Sequence, residues 1–243
     1  MRKSIFMKQG EIVRDFIVPP SPKDINLEGD FVLIKPIKAN EHSKDLFESN
    51  LLDKEGLNWT YLPYGPFKSK SKYSNWIKSL EGSSDPIFFS IINKKTKKAS
   101  GVASYLRIKP TIGSIEVGHI NYSPLLQNTV EGTEAMFLMM KWVFDNGYRR
   151  YEWKCNAFNL KSRKAAQRIG FSYEGLFRQM TISKGRNRDT AWFAIIDKEW
   201  EKIKECFLKF LSIENFDKFG NPIVSLSSLT QPLLYKIDNM DGS

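Results

Sequence analysis

The residues best placed for chemistry lie between positions 114 and 147. An apolar run, Ser114-Ile-Glu-Val-Gly-His-Ile-Asn-Tyr-Ser-Pro124, leads through a polar loop ending Gln127-Asn-Thr-Val-Glu-Gly132 into Thr133 to Gly147, which is apolar around most of its circumference. That pattern reads as a strand, a loop and a helix packed on a sheet. The first amides of such a helix have no intrahelical acceptor, and the macrodipole adds roughly half a positive charge there. The helix start can therefore hold a phosphate or pyrophosphate. An ordinary N-cap at Thr133, eased by Gly132, is the other reading. The loop has neither the terminal Gly-Lys-Ser/Thr of a Walker loop nor three spaced glycines, so a nucleotide-like ligand must be held in another way.

Further groups surround this core motif. Alternation along the run puts Glu116 and Gly118 on one face and Val117 and His119 on the other, which separates His119 from Glu116 unless a bulge interrupts the strand. The segment Asn58-Trp-Thr-Tyr-Leu-Pro-Tyr-Gly-Pro-Phe67 concentrates large rings in a connector. Trp59, Tyr61 and Tyr64 there either pack over the core or wall a substrate cleft. A basic turn, Lys184-Gly-Arg-Asn-Arg-Asp189, separates two strand-like segments.

Elements able to position these groups follow from periodicity. Residues 1–29 carry Pro19-Pro-Ser-Pro22 and read as an N-terminal arm. A folded domain is expected over 30–197 and a C-terminal helix and tail over 198–243, the tail loosely packed. Strands are expected at Phe31–Ile37, Pro86–Ile92, Ser100–Ile108, Ser114–Pro124, Tyr151–Cys155, Phe177–Ser183 and Thr190–Asp197. Helices fall at Glu41–Asn50, Tyr73–Leu80, Thr133–Gly147, Leu160–Ile169 and Lys198–Leu211. The order β-αα-βββ-α-β-α-ββ implies an α/β (α+β) fold, a mixed, twisted central sheet of about seven strands with helices on both faces.

Composition narrows the class. The 243 residues suit one domain with extensions, 13% aromatic content argues against disorder, and two cysteines and two histidines fit neither a disulfide framework nor a structural zinc site. No segment has secretory or membrane-spanning character, which points to a cytoplasmic protein, with the nucleus also open. The net charge of +10 suits an anionic ligand, nucleic acid, a ribosome or an acidic membrane without choosing among them.

Taken together, Trp59–Phe67, Ile115-Glu-Val-Gly-His119, Tyr122-Ser-Pro124, Gly132-Thr-Glu-Ala135, Asn159-Leu-Lys-Ser162, Arg168-Ile-Gly-Phe171 and Tyr173-Glu-Gly175 resemble the GNAT superfamily of acyl-CoA-dependent N-acetyltransferases, within it the ribosomal-protein N-terminal acetyltransferase branch. The resemblance covers about residues 30–200. It implies a GNAT-like sheet, acetyl-CoA as co-substrate, no metal, and direct attack by a primary amine, either a small amine or a protein N-terminus. It assigns Gln127, Asn128, Thr129, Val130, Glu131, Gly132 and Thr133 to the pyrophosphate loop, with Val130 where the family's first glycine belongs. A β-branched residue there must take an ordinary backbone conformation or be strained.

The resemblance also makes Glu116 the candidate base, the other reading being a carboxylate paired with a nearby Arg or Lys, and Ser162 the group beside the coenzyme sulfur, since Ala166 stands where many members carry a proton-donating tyrosine. Asn159 is expected to bond the pantetheine, and Arg163, with Lys161 and Lys164, the terminal phosphates. Trp59, Tyr61, Tyr64 and Arg186 are expected to bind the acceptor, with Lys184, Arg186 and Arg188 able to orient an acidic one. A homodimer is left open. The competing class is a basic ribosome- or RNA-associated module with a vestigial acyl-CoA site; the aromatic ribonucleoprotein motif and a KH-type Gly-x-x-Gly loop are absent.

Overall fold

The computed structural model describes residues 9–240. A short edge strand, β1 (Leu27–Glu28), precedes β2 (Val32–Pro36), α1 (Ala39–Asn50), α2 (Lys70–Leu80), β3 (Ile87–Asn93), β4 (Ala99–Lys109), β5 (Ser114–Tyr122), α3 (Val130–Asp145), β6 (Arg150–Asn156), α4 (Leu160–Arg168), β7 (Ser172–Ser183), β8 (Arg186–Ile196) and α5 (Asp197–Leu211), with α6 (Leu226–Thr230) in the tail. The expected element order holds, with one strand and one helix added. One eight-stranded sheet runs β1-β2-β3-β4-β5-β6-β8-β7, antiparallel except where β5 pairs parallel with β6. Parallel neighbours cannot be joined by a tight turn, so α3 must cross over between them.

The sheet has two differently furnished faces. On one, α3 buries Met136, Phe137, Met139, Met140 and Val143 against Ile115, Val117, Tyr151 and Trp153. Each large apolar side chain sunk there contributes about 1.5–3 kcal/mol. On the other, α1 and α2 cover β2 to β4 through Leu46, Tyr73 and Ile77, with Trp59 from the connector between them. The outward face of β6 and β8 carries Glu152, Lys154 and Trp192 instead of an apolar layer.

The chain outside the sheet is more tightly held than its composition suggests. Glu134, near the start of α3, accepts from the amides of Asp30, Phe31 and Val32 at 2.7–2.8 Å. A Cβ at Gly29 would lie 2.3 Å from that carboxylate, so this contact requires glycine. The tail packs firmly, contrary to the expectation: Leu226 and Thr230 are fully buried, and Tyr173 donates its amide to the Lys236 carbonyl. Asp238 is buried as well, in a bidentate pair with Arg163, its oxygens 2.7 Å from Nε and Nη2.

Candidate active site

The central feature is a gap between two parallel strands. Pairing of β5 with β6 ends at Val117 opposite Trp153, although β5 runs on to Tyr122 and β6 to Asn156. Beyond that point the facing backbone edges are not bonded to each other, and the 123–129 loop leads from the end of β5 into α3. Thr129, not Thr133, is the N-cap: its hydroxyl accepts from the Gly132 amide at 3.1 Å. The helix therefore begins three residues earlier than expected. Val130 is its first residue, in ordinary helical geometry, and the left-handed position is Asn128 (φ +58°). Asparagine tolerates that region, so Val130 introduces no strain.

The loop is braced from behind. Gln127 Nε2 donates to Asn58 Oδ1 at 2.8 Å and to the Tyr122 carbonyl at 2.7 Å. Asn93 holds the Glu131 carboxylate at 3.1 Å, and Arg168 donates to the Thr133 hydroxyl at 3.2 Å. A Cβ at Gly132 would lie 2.6 Å from the Leu126 carbonyl, so only glycine lets the first turn close on the loop. Among the described residues the amides of Val130 and Glu131 meet no acceptor, which leaves them and the helix dipole for an anion.

Glu116 is buried on the face that carries Lys154. Arg107 Nη1 sits 2.7 Å from its Oε1, and Lys154 Nζ lies 2.8 Å from its Oε2. Lys154 also pairs with Glu152 at 2.7 Å and rides 3.8 Å from the Trp192 ring centroid. Burial outweighs these cations and raises the Glu116 pKa above its ordinary value.

His119 is not where alternation puts it. Register shifts between Val102 and Ser104 on β4, so Ser104 faces Gly118 while Val102 faces Asn121, and His119 takes φ +51° in the resulting bulge. A bulge inserts an extra residue and re-aims its side chain. The imidazole is thereby brought to the Glu116 side, against Phe88, with Nδ1 2.9 Å from the Tyr64 hydroxyl. Burial first, then Arg107 and Arg188, lower its pKa to about 4, so the ring is neutral at neutral pH.

The remaining expected residues divide. Tyr61 donates to the Phe158 carbonyl at 3.0 Å and Lys184 Nζ to the Trp59 carbonyl at 2.8 Å, so the 57–67 segment spans from β5 to the residues after β6 and to the β7–β8 hairpin. Tyr61 and Tyr64 stand at this site. Trp59 does not wall a cleft: its ring is buried among Tyr64, Phe67, Tyr73 and Trp76. Asn159 caps α4 by accepting from the Ser162 amide at 3.2 Å, and the Ser162 hydroxyl accepts from Trp153 Nε1 at 3.0 Å, at the mouth of the gap. Arg163 cannot serve a coenzyme phosphate, because Asp238 and the Ala157 carbonyl occupy its fork. Arg186 stays exposed at the hairpin tip, while Arg188 is the half-buried member that feels Glu116 and Arg107.

Sequence reasoning missed Arg107, Lys154 and Asn58. Glu152 and Lys154 alternate with Tyr151, Trp153 and Cys155, a signal that reads as a polar outer strand face; only the β5–β6 register reveals that this face meets Glu116.

The family model described as "Acetyltransferase (GNAT) domain" matches residues 32–172. Among solved structures, the chain is similar to a GCN5-related N-acetyltransferase from Brucella melitensis (38% identity, TM-score 0.87, covering 90% of this chain and 99% of that one). It is also similar to a GNAT-family acetyltransferase from Chromobacterium violaceum (34%, 0.74, 80% and 98%). A ribosomal alpha-N-protein acetyltransferase shares the fold at 19% identity (TM-score 0.59, 71% and 94%). No curated protein sequence matches. The family match over more than half of the chain, with relatives above 30% identity along nearly their whole length, assigns this chain to the GNAT acetyltransferase family.

Proposed function

We propose that the chain is an N-acetyltransferase that moves acetyl from acetyl-CoA to a primary amine, a small amine or a protein N-terminus. The observation that carries this reading is the β5–β6 gap opening beside the free amides of Val130 and Glu131. The residues fit an acyl-CoA: unbonded strand edges offer partners to an amide-bearing arm, and the start of α3 offers its amides and dipole to a pyrophosphate. Bound there, acetyl-CoA would supply the thioester carbonyl that the amine attacks.

The loop residues Gln127 to Thr133 hold the phosphates through backbone amides, with Gln127, Thr129 and Gly132 fixing its shape. The NH2 group of Asn159, whose oxygen accepts from the Ser162 amide, meets no acceptor among the described residues and can donate to the arm. Glu116 removes the proton from the incoming ammonium through water, and burial raises it toward the range of a useful base. His119, at about 4, is too weak a base for that task and presents a neutral, apolar-flanked wall with Tyr64. Ser162, fixed by Trp153, returns a proton to the leaving thiolate by relay from water, in the place of the tyrosine absent at Ala166. The free thiols of Cys155 and Cys206 suit a reducing, cytoplasmic setting.

The test is release of free thiol from acetyl-CoA as amines and N-terminal peptides are added. Amine-dependent release supports the reading. No release with any amine, alongside stabilisation by RNA, favours the binding module.

A further inference from the structure

Resting on that acetyltransferase reading, we propose that the acceptor carries an oxyanion close to its amine and that Arg188 receives it, making Arg188 a specificity-determining residue. Arg188 lies on β8 on the same side as Thr190 and Trp192, two and four residues on, the side where Trp192 opposes Lys154. Among the described residues it makes no ion pair, and its buried Nε has no hydrogen-bond partner. A half-buried guanidinium without a partner is rarely left so by a folded chain.

The nearby carboxylates are ion-paired with other groups or hydrogen-bonded elsewhere, although the buried Glu116 Oε2 makes no hydrogen bond. Glu116 is engaged by Arg107 and Lys154, and Glu152 by Lys154 and Arg150. Asp189, next in sequence, accepts from the Gln179 amide and from Asn187. The other bases of the turn do not compete, since Lys184 is tied to Trp59 and Arg186 points outward.

The surroundings favour an anion further. Trp192 presents a second buried donor, Nε1, without a partner. Arg107 and Lys154, on the same face, add positive charge and also line a hollow of about 470 Å³ that starts at Trp192 and runs away from Arg188 toward Arg150 and Ile196. Such a field attracts an acidic acceptor, and a planar fork receives a carboxylate bidentately.

The experiment compares matched acceptors by thiol release: a seryl-glutamyl peptide against its seryl-glutaminyl counterpart, and β-alanine against its amide. In the wild type the carboxylate member should have kcat/KM about tenfold higher in at least one pair, which also tells peptide from small amine. Arg188→Ala should collapse that ratio toward one, and Arg188→Lys should keep part of it. Acetyl-CoA dissociation constants measured on each variant separate a disturbed fold from lost discrimination. Acetylation of amines with a ratio near or below one in the wild type, or an Arg188→Ala loss equal for both members, overturns the inference while leaving the acetyltransferase reading intact. No transfer to any amine overturns both.

Discussion

Two arginines drawn in from the surface meet opposite fates. Arg163, on α4, is sunk beside Asp238 with its fork bonded bidentately and its remaining arm on a backbone carbonyl. Arg188, on β8, shares its half-buried space with Arg107 and Glu116 and bonds to nothing among the described residues. A saturated charge of the first kind has no capacity left for a ligand and belongs to the fold. An unsaturated one keeps its capacity for a molecule that arrives. The same contrast separates α4, whose capped start is locked by the tail, from α3, whose cap at Thr129 leaves two amides open.

The saturated side breaks most severely. Asp238→Ala leaves Arg163 buried without its counter-charge and should cost about 3–5 kcal/mol of stability. Denaturant unfolding measures this, and a loss under about 1 kcal/mol would show that the tail is not fastened by this pair. Replacing both partners by apolar residues of similar volume should recover most of the loss.

On the unsaturated side, Glu116→Gln should lower kcat about 100-fold or more while acetyl-CoA affinity changes little. The pH profile carries the same claim with a sign. Because burial raises the Glu116 pKa, activity should fall on acidification along a limb lying above the ordinary carboxylate value, and Glu116→Gln should erase that limb. His119 cannot produce it, since the ring is already neutral well above about 4. An acid limb that persists unchanged in the variant would remove Glu116 as the base.

Smaller effects sharpen the picture. Ser162→Ala should lower kcat about tenfold without altering acetyl-CoA binding, and unchanged turnover would leave the thiolate proton to solvent. Val130→Gly should not tighten acetyl-CoA, because Val130 already sits in helical geometry; it should instead cost a few tenths of a kcal/mol of stability, roughly the difference in helix propensity between valine and glycine. A clear gain in affinity would mean that the Val130 side chain obstructs the loop.

The element order was legible in the sequence because it rests on period: alternating Val, Ile and Phe in the strands, a wide apolar stripe in α3, polar turns between them. What escaped was fixed by register and by partners distant in the chain. Nothing within Ser114–Pro124 announces that β4 and β5 slip by one residue at His119, which turns the imidazole onto the Glu116 side. Thr129 and Thr133 are both sound caps by type, and the choice between them was made by Gly132, which must approach the Leu126 carbonyl. Arg163 looked available because its partner, Asp238, stands in a tail without periodicity. Trp59 was ambiguous until α2 supplied Tyr73 and Trp76 to bury it. Glu116 and the loop from Gln127 to Thr133 were singled out by the family resemblance together with local chain order; the structure buries Glu116 and leaves the Val130 and Glu131 amides without acceptors among the described residues, and their roles belong to the proposed function.

The central claim is that the gap between β5 and β6, with the start of α3, holds acetyl-CoA. Isothermal titration of the whole chain with acetyl-CoA tests it most directly. The account predicts saturable one-to-one binding and a melting temperature that rises with coenzyme concentration, by about 2.7 kcal/mol of stabilisation at one hundred times the dissociation constant. Absence of both the titration signal and the thermal shift at millimolar acetyl-CoA would contradict it.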